Sequence, residues 1–258
     1  MGELVTISDH RGIATITLDS QHNRNALSRQ LVAELHECID TAEATDARAL
    51  VLTHAGPAFC AGADLKERAA GPPDSGPFVR VLERLMDTDR PTIAAVDGAV
   101  RAGGIGLMAA CDLVVVHTSV TFALTEVRIG VAAAIISVPI LRRVAPGAIA
   151  SAMLTGEAFD AAQARSIGLV THVSDDVAST VAELCEGIRA GAPDAVAATK
   201  RMLAEVPPLD RGTAFERMQA LSDELFQGPD AAEGMAAFGE KRRPAWDTRV
   251  DPDGTRAR

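Results

Sequence analysis

The stretch VRAGGIGLMAACD, residues 100–112, decides how this chain is read. It follows the apolar run TIAAV at 92–96 and opens a helix-like segment. Gly103, Gly104 and Gly106 fall within four positions. Only glycine lets another backbone or a ligand approach with no Cβ in the way. Such a turn has three readings: cradling a phosphate at a helix start, aiming peptide N–H groups at a developing anion, or simply tight packing.

The phosphate reading has a specific form. Gly104, Gly106 and Ala109 satisfy G-x-G-x-x-A, and Glu126 follows Gly106 by 20 residues, near where a ribose-binding acid would stand. The surroundings do not fit. DGAVRA (97–102) separates the strand from the first glycine, and the strand-like VTFAL segment lies between LVVVH and Glu126. Nicotinamide and flavin binding are therefore set aside.

Composition narrows the rest. The 258 residues are 47% hydrophobic and 23% charged, enough for a sizeable core. A net charge of −10 and 3% aromatic residues argue against a nucleic-acid partner, which calls for a basic face and stacking side chains. The longest apolar run, GVAAAIISVPIL at 130–141, contains Pro139 and is shorter than the roughly 20 residues of a membrane span. Cys38, Cys60, Cys111 and Cys185 are far apart and read as buried free thiols. With no secretory leader apparent, they suit a cytoplasmic protein. The histidines show no ligand spacing, so no metal site is expected.

Along the chain, LVTIS (4–8) and IATITLD (13–19) alternate around DHRG as a β-hairpin. Ser28 caps a helix whose apolar face is Leu31, Val32, Leu35, Ile39 and Ala42. RALVLT, TIAAV and LVVVH read as buried strands, FVRVLERLMD (78–87) as a helix, and DAAQARSIG as a short helix with an Asp cap and a Gly stop. GPPDSGP (71–77) reads as a mobile loop. Strands and helices alternate to about residue 190, an α/β layer structure, and only helices follow. The expected division is a core domain over 1–190 and a helical subdomain over 191–258.

A second turn matches the first. AGPAFCAGADLKER (55–68) also follows a buried strand with small residues and a helix start. Two such turns side by side would aim two N–H groups at one point, as an oxyanion requires. With FCAGADLKE, the run PTIAAVDG…AGG…CDLVVV, LTGEAFDAAQARSIGLV, RNALS and the terminal EGMAAFGEKRRPAW, the chain resembles the crotonase (enoyl-CoA hydratase/isomerase) superfamily over nearly its whole length.

The resemblance implies a spiral of repeated ββα units and a C-terminal helical trimerisation region, assembled as a homotrimer or dimer of trimers. It implies an acyl-CoA thioester substrate, with coenzyme A entering as part of that substrate and no separate cofactor. The enolate of the thioester would lie on the N–H groups of Ala63 and Gly103. Ala61 and the Ala26–Leu27 backbone match places that hold the adenine end of CoA. Phe238 and Lys241 match CoA-pocket positions, and Arg24 and Lys66 match phosphate contacts. Of the two glutamates of the best-known hydratases, one is retained as Glu126 and the other position holds Gly106. A turn usually rich in proline and glycine is AAAIIS here, which would make the acyl pocket, expected to be lined by Gly106, Ile135 and Ile136, more apolar and bulkier near the two isoleucines. If that pocket has room, Gly106→Glu would restore the second carboxylate.

The plainer expectations are that Asp64 caps the following helix, that Glu67 is a solvated first-turn acid, and that Glu126 would otherwise pair with Arg128. The leading function is hydration of a 2-enoyl-CoA with Glu126 as the single acid–base group. The alternatives are a Δ3-Δ2 enoyl-CoA isomerase using Glu126 as sole base, and an acyl-CoA-binding protein of little activity.

Overall fold

The hairpin forms as expected and starts the main sheet. In the computed structural model, which describes residues 2–71 and 74–249, β1 (Val5–His10) pairs antiparallel with β2 (Ile13–Leu18). Helix α1 (Arg29–Glu43) follows, capped by Ser28 Oγ, which accepts from Leu31 N at 3.2 Å. Its buried stripe is the expected one with Cys38 added.

Three strand–strand–helix turns then repeat. The first is β3 (Ala49–His54), β4 (Ala58–Cys60), α2 (Leu65–Ala70) and α3 (Gly76–Asp87). The second is β5 (Thr92–Val96), β6 (Ala99–Arg101) and α4 (Gly103–Ala109). The third is β7 (Leu113–His117), β8 (Thr121–Ala123) and α5 (Ala134–Arg143). In each turn the first strand joins one sheet and the second strand another. The six-stranded sheet runs β1-β2-β3-β5-β7-β10 and the four-stranded sheet β4-β6-β8-β9. This is the expected spiral, and the parallel strands of the larger sheet read as apolar runs because both faces are covered. Helix α6 (Pro146–Thr155), β9 (Phe159–Asp160), α7 (Ala161–Ser166), β10 (His172–Ser174) and α8 (Val177–Ala190) complete the series. Asp160 caps α7 through Gln163 N, as its sequence indicates.

Helices α9 (Pro193–Glu205), α10 (Arg211–Gln227) and α11 (Pro229–Glu240) form the strandless tail. By contacts the chain divides into two units. One holds the described residues to Thr88 with Thr92–Ala182, and the other holds Asp89–Pro91 with the described residues from Glu183 on. The sequence pattern places the change at 190/191, whereas this division cuts α8 at Ala182. The last turns of α8 are held within the helical unit, where Ala190 O accepts from Trp246 Nε1 at 3.2 Å. Of the 71–77 loop, Pro72 and Pro73 lie outside the described residues; Gly76 and Pro77 open α3.

One buried polar side chain fixes the RNALS segment. Asn25 sits at φ +55, fully buried. Its Oδ1 accepts from Ser20 N at 2.6 Å, and its Nδ2 donates to Ala55 O and Ala58 O at 3.1 and 2.9 Å. This ties Ala26–Leu27 to the entry of β4. Because three backbone groups would lose their partner inside the core, Asn25→Ala is expected to cost about 2–5 kcal/mol in urea unfolding. A loss below about 1 kcal/mol would contradict this role.

Candidate active site

The C-terminal ends of three neighbouring parallel strands converge. β4 pairs with β6, and β6 pairs with β8 in the register Val100↔Phe122 and Arg101↔Ala123. Just beyond those ends come Ala63, Gly103 and Glu126, all three on the wall of one cavity of about 860 Å³. Ligands in α/β folds collect at such carboxyl ends.

Ala63 is set by a short parallel bridge to Leu27. Leu27 N donates to Gly62 O at 2.8 Å and Asp64 N to Leu27 O at 3.5 Å, so the bridge passes over the N–H of Ala63. Gly103 is the first residue of α4, where a helical N–H has no partner within the helix. The two turns touch. A Cβ on Gly62 would stand 3.5 Å from Gly103 N, and one on Gly103 would stand 3.9 Å from Ala63 N. The Cβ on Gly103 would also meet Leu27 Cδ1 at 2.7 Å, so glycine is required there by contact. Ala102 before it holds φ +47, ψ −118, a conformation costly for a residue with a Cβ, and lines the same cavity. Nothing in the sequence marks Ala102. Gly104 serves packing: its Cβ would lie 2.7 Å from Cys60 Cβ. Burial pushes the Cys60 thiol up to about 12, so it is no nucleophile, and all four cysteines are buried and free.

Glu126 begins a 3₁₀ turn, Glu126–Ile129, and is half-buried. Its Oε2 is buried with no hydrogen-bond partner among the described residues. Burial pushes its carboxyl up, against a smaller pull from its own backbone N–H. It is not paired with Arg128, whose Nε donates to Thr155 O at 3.0 Å. Asp64 does cap α2, accepting from Lys66 N and Glu67 N. Glu67 is not merely solvated: its Oε2 accepts from Arg29 N at 2.9 Å, at the start of α1.

Leu27, Ala61, Ile135 and Ile136 line the cavity with the three residues above. Arg24, Ala26 and Lys66 do not: Ala26 is buried, and Arg24 and Lys66 are exposed. Phe238, 87% exposed on α11, and Lys241, at φ +56 just after it, belong to the helical unit.

Gly106 is expected on the pocket wall and is instead buried behind it. The AAAIIS segment enters α5, and Ile136 takes the space a side chain at Gly106 would need. A Cβ there would lie 2.5 Å from Ile136 Cβ and 3.2 Å from Ile136 Cα. The room on which a restored glutamate depends is taken by Ile136. Gly106→Ala is expected to destabilise by about 1–3 kcal/mol through overpacking, and most of that loss should vanish in an Ile136→Ala background. Additive losses in the double-mutant cycle would refute the contact.

The chain is similar to known proteins over nearly its whole length. The family model described as enoyl-CoA hydratase/isomerase matches residues 8–249. A Thermus thermophilus protein whose name places it among enoyl-CoA hydratases is 36% identical, over 90% of this chain and 96% of its own length. The (E)-benzylidenesuccinyl-CoA hydratase of Thauera aromatica is 33% identical, over 94% and 98% respectively. A crystal structure of a Mycobacterium smegmatis enoyl-CoA hydratase superposes with a TM-score of 0.88 at 33% identity, covering 95% of this chain and 99% of that one.

Proposed function

The chain belongs to the enoyl-CoA hydratase/isomerase family, and within it we propose that the protein adds water to a 2-enoyl-CoA thioester with Glu126 as its single acid–base group. The observation that carries this reading is the unpartnered, buried Oε2 of Glu126 in the cavity that Ala63 and Gly103 share. An unpaired carboxylate is costly to bury, so a passive binding protein has no reason to keep one there.

The thioester oxygen sits on the N–H groups of Ala63 and Gly103, donors fixed in place before charge develops. Ionised Glu126 takes a proton from water as the water oxygen bonds to Cβ. The C=C electron pair moves through Cα to the thioester oxygen as an enolate. Glu126 then returns the proton to Cα, which restores the carbonyl and the carboxylate. Arg24 and Lys66, exposed near the RNALS and CAGAD turns, are assigned to the CoA phosphates. Phe238 and Lys241 are assigned to the CoA pocket of the assembled homotrimer or dimer of trimers.

The contact between Gly106 and Ile136 favours a second reading, because it leaves no place for a second carboxylate. In that reading Glu126 removes a proton from Cα of a 3-enoyl-CoA and returns it to Cγ. Incubation with 2-enoyl- and 3-enoyl-CoA, read by mass and by the conjugated thioester, separates the two. Hydroxyacyl-CoA from the first substrate supports hydration; conversion of the second alone assigns the isomerase.

Glu126→Gln should lower turnover by about 10²–10⁴-fold, and hydration at the wild-type rate would overturn the assignment. Since the ionised form is the base and burial raises its pKa, kcat/KM should fall in acid through a pKa above the ordinary 4.5. The sign for stability is opposite. A carboxyl whose folded pKa is raised binds its proton more tightly when folded, so its ionisation costs stability above the unfolded pKa. The Gln variant should therefore melt higher than wild type at pH 7, and the gain should disappear near pH 4. An equal Tm at both pH values would contradict the burial cost.

A further inference from the structure

Ala102 joins the four-stranded sheet to α4 directly. Its N–H donates to Ala123 O at 2.9 Å, and its carbonyl accepts from Ile105 N at 2.9 Å. The first bond continues the pairing of β6 with β8 and the second opens α4, so one residue serves sheet and helix with no linker between them. The abruptness of that turn is recorded in φ +47, ψ −118. A residue with a Cβ seldom adopts this conformation, and here the bonds on both sides impose it.

The imposed conformation orients one peptide group. A trans peptide points its C=O and its N–H to opposite sides. The Ala102 carbonyl is held by Ile105 N, so the N–H of the same peptide, which is that of Gly103, points away from α4. The Gly62–Ala63 turn lies against this peptide. A Cβ on Gly62 would stand 2.8 Å from Ala102 Cβ, 3.4 Å from Arg101 O and 3.5 Å from Gly103 N. Ala102 and Gly103 both line the cavity. If Ala102 relaxed to a negative φ, the 102–103 peptide would turn, and the Gly103 N–H would turn with it.

Resting on the reading of this cavity as a thioester site with an oxyanion hole, we propose that Ala102 is a positioning residue whose strained backbone fixes the 102–103 peptide so that the Gly103 N–H meets the thioester oxygen. It acts through Gly103. A side chain that cannot hold the positive φ loses that donor, while Ala63 and Glu126 stay in place.

The test uses butyryl-CoA labelled with ¹³C at the thioester carbonyl, a saturated ligand that is not turned over. Its binding is measured by calorimetry and its carbonyl stretch by isotope-edited infrared spectroscopy, since hydrogen bonds to the oxygen lower that frequency. Turnover of the enoyl-CoA that the protein converts is measured beside it in wild type, Ala102→Val and Ala102→Ser. Wild type should lower the stretch below its value in water. Valine, branched at Cβ, does not hold a positive φ readily. Ala102→Val should therefore return the stretch toward the free value and lower kcat about 10²–10³-fold, the loss of one oxyanion donor, with butyryl-CoA binding little changed. Serine adds a γ atom without the branch, so Ala102→Ser should keep the lowered stretch and turn over at least about 10-fold faster than Ala102→Val. A wild-type stretch and kcat in Ala102→Val overturn the proposal. So does a serine variant that falls as far as valine, which assigns the loss to bulk against Gly62. Ala102→Gly tests the strain even where valine prevents folding. Glycine takes this φ and ψ freely, so its Tm should not fall below that of wild type, and a lower Tm overturns the strain. Wild type that binds butyryl-CoA without lowering its stretch overturns the oxyanion reading itself, and the role of Ala102 with it.

Discussion

Two backbone turns lie against each other in this fold because no side chain stands between them. The Gly62–Ala63 turn and the Ala102–Gly103 turn approach so closely that a Cβ on Gly62 would meet Ala102 Cβ at 2.8 Å. The parallel register of β4, β6 and β8 brings the turns together, and the positive φ of Ala102 directs the chain into α4. Both turns are made of strand ends and peptide groups. Glu126, delivered by the third strand, is the one side chain whose protonation changes in the proposed cycle.

The volume exchanged between Gly106 and Ile136 sets how closely α4 and α5 pack. α4 and α5 approach until an isoleucine takes the space that a side chain on α4 would need. Arg143, the last residue of α5, holds the pair in place by donating to the carbonyls of Ala109 and Cys111 at the end of α4. A side chain at 106 and an isoleucine at 136 therefore compete for the same space.

Much of this was legible in the sequence because burial leaves a pattern. β3, β5 and β7 are covered on both faces and read as apolar runs, Ser28 and Asp160 announce their caps, and the spacing of Leu31, Leu35 and Ile39 draws the buried stripe of α1. Ala63, Gly103 and Glu126 came from family resemblance, and the cavity brings them together. Of β4, β6 and β8 in the second sheet only β8 showed, as the strand-like VTFAL; β4 and β6 are three residues each and too short for any period. The contact of Ile136 with Gly106 is tertiary, so no local signal could place Gly106 behind the wall.

If Glu126 alone takes the proton from water and returns it, both new bonds form on the face of the enoyl plane that this carboxylate meets. Hydration of a 2-enoyl-CoA in D₂O, with the relative configuration at Cα and Cβ read by NMR, tests that most directly. The account predicts syn addition, with one deuterium at Cα on the same face as the new hydroxyl. Anti addition would require a second acid on the opposite face and would contradict it.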